Sequence, residues 1–255
     1  IYRNGNSMKI DILSLFPEFI EAFFKHSIIK RALEAGLMDM RVTDPRAFSQ
    51  DKHHRVDDTV YGGGAGMLMQ CAPLFDACRH VLPERGERDR VLFLSPAGAP
   101  FTQDKAKELY HNYDHLVLIC GHYEGVDHRV EEHLADELVS IGDYVLTGGE
   151  LGAMVIADAV ARMVPGVLGD AGSAAGDSFY EPLLEYPQYT KPAVYNGWEV
   201  PEVLLSGHHE NIAKWRRKEA LRRTLENRPD LLEKLEMTKQ DEKLMAEILR
   251  EKEKI

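Results

Sequence analysis

Two uninterrupted apolar runs stand out from a mixed chain, residues 91–94 (VLFL) and 116–119 (LVLI), and a third, 138–141 (LVSI), is broken only by a serine. Short, fully apolar runs suit parallel strands covered on both faces. Each passes directly into a glycine-bearing loop: Ser95-Pro96-Ala97-Gly98, Cys120-Gly121-His122-Tyr123-Glu124-Gly125, and residues 142–149 (GDYVLTGG). The third loop runs on into an apolar segment, 151–164, which reads as a helix. Residues 8–16 alternate weakly and stop at Pro17, as a strand would. Residues 18–35 have helical apolar spacing and end at Gly36. A further strand is predicted at 37–43, and helices at 73–82, 102–110 and 127–134. Alternating strands and helices predict an α/β fold on a parallel sheet. Ligands bind such sheets at the loops beyond the carboxyl ends of the strands, so the three glycine loops are expected to line one pocket.

Residues 44–69 break the pattern. They are polar, carry Lys52, His53, His54, Arg55, Asp57 and Asp58, and close on Gly62-Gly63-Gly64-Ala65-Gly66. Long irregular loops in compact domains are usually functional or disordered. Past residue 164 the pattern changes again. Four of the twelve residues in 165–176 are glycine, which suggests a flexible linker or lid. Residues 181–201 are rich in Pro and Tyr with little periodicity, and helices are expected at 207–226, 230–235 and 238–251. The organisation read from this is a first domain at 8–164, a linker at 165–176 and a smaller, mostly helical domain at 177–255. The polar stretch 1–7 precedes a strand opening at Met8 and reads as an added remnant.

Composition narrows the classes. A chain of 255 residues, 44% apolar, is long enough for a real core in one or two domains. No apolar run approaches the ~20 residues of a membrane span, so no membrane partner is expected. Cys71, Cys78 and Cys120 are too few and irregular for a disulfide framework or a zinc knuckle, which points to reduced thiols and a cytoplasmic protein. The net charge of −11 argues against a general nucleic-acid coat. Residues 213–228 are nevertheless locally basic, with Lys214, Arg216, Arg217, Lys218, Arg222, Arg223 and Arg228 against Glu219 and Glu226. That stretch is either a polyanion site or a solvated helix face.

Several chemistries are excluded by spacing. GGGAGM is neither a dinucleotide fingerprint nor a phosphate-binding loop. His122-Tyr123-Glu124 lacks the PCxxC partner of a zinc deaminase, and no set of residues has metal-ligand spacing. What remains is a pocket of glycine and backbone, able to hold a flat base such as adenine through peptide groups. Glu124 and Asp143 are candidate acceptors in it, or else a helix-start carboxylate and a turn aspartate. Ser178 to Glu181 fits a capping box with Asp177 just outside, and Arg162 near a helix end fits a dipole partner.

LSLFPE, YGGGAGM, LSPAG, CGHYEGVD, SIGDYVLTGGEL, DAVARMVPGVLG, DSF, YPQYTKP, VPEVLLSGHHE and KWRRKEALRRT follow one another in this chain. In that order they resemble the bacterial tRNA (guanine-N1)-methyltransferases, from Met8 to about Leu235. The resemblance implies a trefoil-knotted methyltransferase domain of the SPOUT class, a homodimer, and methylation of the tRNA guanosine at position 37, beside the anticodon. A knotted ribose 2′-O-methyltransferase or a non-catalytic RNA-binding relative are the alternatives. By position, the resemblance implies that S-adenosylmethionine is held by Leu94, Ser95 and Pro96, by Gly121 and Glu124, and by Ile141, Gly142, Tyr144, Leu146, Gly148 and Gly149. Asp177 matches the general base and Arg162 the cation that assists it. Gly63 and Gly64 belong to the loop beside the site, and Lys214, Arg216 and Arg217 are expected to contact tRNA phosphates. A divalent ion such as Mg is compatible with the family, but no residue is assigned to it. The chain departs from the family at Gly152 and often at Ala65, where relatives have proline, and at His122, where many have arginine.

Overall fold

A computed structural model describes residues 7–169 and 176–252. Residues 1–6 and 253–255, and residues 170–175 of the expected linker, lie outside the described residues. The chain divides into two compact units, Ile1–Ala171 and Gly172–Ile255, and the division falls inside the 165–176 segment.

The first unit is built on five parallel strands: β1 (Met8–Leu13), β2 (Met38–Thr43), β5 (Asp89–Pro100), β6 (His115–Cys120) and β7 (Glu137–Ser140), in the order β2-β1-β6-β5-β7. The central strand β6 is buried at every position, which is why its sequence shows no alternation. Its side chains still alternate between faces. Leu116 and Leu118 join Ile10, Ile12 and Leu92 in one core, and Val117 and Ile119 join Val91 and Phe93 in the other. The first core is covered by α1 (Pro17–Phe24), α2 (Ser27–Glu34), α4 (Gln103–Asn112) and α6 (Glu150–Ala161), the second by α3 (Cys71–Val81) and α5 (Arg129–His133).

Three local expectations need correcting. The helix read at 18–35 is two helices, because the chain turns at Lys25-His26 and restarts at Ser27 with φ +54°. The apolar spacing crosses this turn without a break, since both helices bury side chains in the same core. The polar loop 44–69 is not wholly irregular: it holds a 3-10 turn (Pro45–Phe48) and an antiparallel hairpin, β3 (Asp57–Thr59) with β4 (Met67–Met69). Strand β5 outlasts its apolar run and jumps register. Val139 is opposite Leu94 and again opposite Ala99, so residues 95–98 loop out between. Gly98 lies so close to the 138–139 peptide that a Cβ would overlap it.

From Asp177 the second unit runs through turns to a hairpin of β8 (Val194–Tyr195) and β9 (Trp198–Glu199) through Asn196-Gly197, both at positive φ, the backbone of a tight hairpin turn. Then come α7 (Glu202–Leu205), α8 (His209–Asn227), α9 (Pro229–Leu232) and α10 (Lys239–Lys252). Its core is small: Leu183, Leu221, Leu244 and Ile248. The capping-box reading of 178–181 fails here. No helix follows; the Ser178 hydroxyl instead accepts from Glu185 N–H at 2.9 Å, and Phe179 turns at φ +69°. Among the described residues no helix is long and apolar enough to cross a membrane.

Candidate active site

The loops after β5, β6 and β7 meet around a cavity of ≈ 410 Å³, within the size range of small-molecule sites. Leu94, Ser95 and Pro96 form one wall, where β5 loops out. Gly121, His122 and Glu124 form the second, after β6. Ile141, Gly142, Tyr144, Leu146, Gly148 and Gly149 form the third. Every residue expected to hold the cofactor therefore lines a single cavity. Asp143, the other candidate acceptor, is exposed and is not on its wall.

Close backbone packing holds the walls together. Gly149 N–H donates to Gly121 C=O at 2.9 Å. A Cβ at Gly149 would stand 2.7 Å from Cys120 Cα and 3.1 Å from Gly121 N, so a side chain there would push the two loops apart. Gly142 has φ +152°, and its missing Cβ leaves room for the Tyr144 ring, whose hydroxyl donates to Ile141 C=O at 3.2 Å. The result is a mainly apolar cavity, lined by Phe93, Leu94, Ile141 and Leu146, with backbone exposed where the glycines stand, so that a flat heterocycle can approach closely.

The β3–β4 hairpin is strapped to the second loop. Glu124 N–H donates to Met67 C=O, Met69 N–H to Gly125 C=O and Asp127 N–H to Met69 C=O, at 3.1, 3.0 and 2.9 Å. Gly66 packs directly on the Glu124 side chain. Gly63 and Gly64 are at the exposed tip, with open space around them and φ of +82° and +155°; they are not on the cavity wall.

Behind the third loop is a buried polar group that the sequence did not signal. Ser14, at the end of β1, donates through Oγ to Glu150 Oε1 at 2.8 Å, and its oxygen accepts Phe16 N–H at 3.0 Å. Burial, then the Glu150 charge, pushes the Cys120 thiol well above its ordinary value. His122 packs edge-on against Phe16, and its Nδ1 is buried with no hydrogen-bond partner among the described residues. Ser14 and Glu150 are 136 positions apart, so only the fold pairs them.

The two expected catalytic residues each line a recess of their own unit. Arg162 is the C-cap of α6 and lines a separate recess with Phe19, Phe23, Met154 and Asp158. Asp177 belongs to the second unit, half-buried in a recess with Glu181, Tyr186, Arg216 and Arg217.

The basic stretch of α8 is largely engaged within its own unit. Arg217 is forked onto Asp241 at 2.8 and 3.0 Å and reaches Glu181 at 2.9 Å. Lys218 joins Glu247 and Glu251, and Arg222 joins Glu251 and Glu219. Lys214 is more loosely held, 4.0 Å from Glu247, and Arg216 lies over the Tyr186 ring at 4.9 Å. Among the described residues no group of three or more His, Cys, Asp or Glu could hold a metal ion.

Comparison with known proteins agrees on one family. The model of the family described as tRNA (Guanine-1)-methyltransferase TrmD matches residues 8–234. A protein of Desulforamulus reducens named tRNA (guanine-N(1)-)-methyltransferase is 57% identical over 242 residues, 94% of this chain and 95% of its own. Proteins of the same name from Halalkalibacterium halodurans and Bacillus cereus are 53% and 51% identical, over 97% and 96% of this chain and the whole of theirs.

Proposed function

This chain belongs to the tRNA (guanine-N1)-methyltransferase family, and on that premise we propose that it methylates N1 of guanosine 37 in tRNA, using S-adenosylmethionine, as a cytoplasmic homodimer. The observation that supports the cofactor is the cavity itself, where three glycine-bearing loops meet and leave no room for a side chain at Gly149. A Cβ at Gly121 would come within 3.2 Å of Val126 Cγ2. We assign residues 8–164 the family's trefoil knot on the strength of the family match.

When bound, the cofactor supplies an electrophilic methyl group on a sulfonium. The rest falls to side chains. Guanine N1 carries a proton and is a poor nucleophile until it is removed. Asp177 takes that proton, and a carboxylate in a closed, drier site is a stronger base than one in water. Arg162 balances the negative charge that gathers on O6. Arg162 is not on the cavity wall of its own chain; in the homodimer that the family implies, each active site combines one subunit's cavity with the other's linker and second unit. Lys214 and Arg216 contribute phosphate contacts, which position the RNA without reading its sequence.

The test is incubation with unmodified tRNA and methyl-labelled S-adenosylmethionine, followed by nucleoside analysis. 1-Methylguanosine at position 37 is the expected product. A ribose-methylated nucleoside, or tRNA binding without transfer, would overturn the assignment.

A further inference from the structure

We propose that Glu150 makes the cavity prefer a cationic occupant, so that the sulfonium donor is held more tightly than the neutral thioether left after transfer. This rests on the reading that the cavity holds S-adenosylmethionine.

Glu150 opens α6 and is only 6% exposed. A carboxylate so buried is normally matched by a cation. Among the described residues this one has no ion-pair partner within 4.0 Å. Its compensation is a neutral hydroxyl, Ser14 Oγ on Oε1, and the amino end of a helix. Its other oxygen, Oε2, lies against Gly148: a Cβ built there would stand 2.4 Å from it. Gly148 lines the cavity on one side and, with Glu150 and His122, a neighbouring recess on the other. Gly148 therefore stands between the carboxylate and the cavity, and glycine has no side chain to screen the charge. In a protein interior a unit charge is felt over many ångströms. The donor carries a positive sulfur and the methyl on it, which the product lacks, while the two share every other group. A buried anion behind Gly148 therefore separates them by charge alone, and eases product release. The other polar group at this point is His122, whose Nδ1 would lie 2.8 Å from the same Cβ.

The experiment is calorimetry on the full chain with S-adenosylmethionine and with S-adenosylhomocysteine. Glu150→Gln keeps the volume and an acceptor for Ser14 but removes the charge. It should weaken donor binding about three- to tenfold and leave product affinity unchanged. Glu150→Asp keeps the charge and should keep most of the preference, so the question can still be answered if the amide variant does not fold. An equal loss for both ligands in Glu150→Gln would mean a purely positional role and overturn the proposal. So would an unchanged ratio, or a preference that collapses in Glu150→Asp. If the wild type binds neither ligand, the cofactor reading falls first and this one with it. If it binds both and only the ratio fails to respond, this inference alone is wrong.

Discussion

Arg217 grips Asp241 through Nε and Nη2 at 2.8 and 3.0 Å, and so fastens the long helix α8 to α10. Asp241 is 1% exposed and also closes the start of α10: it accepts Thr238 N–H at 3.0 Å, while Thr238 Oγ1 accepts Asp241 N–H at 3.1 Å. Removing the guanidinium would strand a buried carboxylate. Arg217→Ala should therefore destabilise the second unit by about 2–3 kcal/mol, read as a lower denaturant midpoint. Lys214→Ala and Arg216→Ala should leave that midpoint nearly unchanged and weaken tRNA binding with a shallower salt dependence. A wild-type midpoint in Arg217→Ala would show that the fork does not hold the helices together.

The same fork sets an acid limit. Hydrogen bonds from Arg217 hold the Asp241 carboxyl down at about 2, and Lys218 and Arg222 hold Glu251 at about 2. In the unfolded chain both groups titrate near their ordinary values, about 4. A depressed carboxyl stabilises the fold fully above its unfolded value, and the contribution drains away as pH falls toward the folded value. Stability of this unit should thus decline between about pH 4 and pH 2. The only two tryptophans, Trp198 and Trp215, both belong to it, so their fluorescence reports its unfolding. Asp241→Asn should be weaker at neutral pH and flatter across that window. An identical acid profile in the variant would remove Asp241 from the explanation.

Gly149 and Gly64 make a matched pair of substitutions. Alanine at 149 drives a methyl into the Cys120 and Gly121 backbone and should lower S-adenosylmethionine affinity at least tenfold. Alanine at 64 meets open space but an unfavourable φ of +155°. It should leave cofactor affinity within about twofold, with a local strain on the order of 1–2 kcal/mol. Calorimetry that ranks the two the other way would mean the cavity has been misassigned.

Mixing inactive subunits tests how the active site is shared. Gly149→Val should block the proposed cofactor cavity, and Asp177→Asn should remove the proposed proton acceptor while leaving cofactor binding intact. If cavity and carboxylate come from different protomers, a heterodimer has one site with both faults and one with none. Refolded mixtures should regain up to about a quarter of wild-type turnover, from random pairing with half the dimers mixed and one good site in each. No recovery would mean that each chain furnishes its own carboxylate.

How far the sequence alone reached depended on the range of each interaction. Strands β5, β6 and β7 were legible because burial on both faces leaves an apolar run whatever the partners. The cavity loops were legible for a related reason, since glycines after apolar runs mark where backbone meets backbone. The break at Ser27 was hidden, because amphipathic spacing reports which side faces the core and not whether the axis is continuous. The serine and glutamate of residues 178–181 had capping spacing but make turns, with Ser178 reaching Glu185 instead. The charge count of α8 was right, yet it could not show that Arg217, Lys218 and Arg222 are matched by carboxylates from α10, about 24 to 33 positions away. Ser14 and Glu150 lie beyond any local signal. The resemblance to a family supplied Arg162 and Asp177, whose surroundings carry no catalytic signature of their own.

The contact of backbone on backbone at Gly149 has a consequence for inhibition. Substitution changes side chains, and at Gly149 even the smallest one strikes the Cys120 main chain. A compound that addresses the main chain there leaves few single-codon routes to resistance that do not also cripple the enzyme.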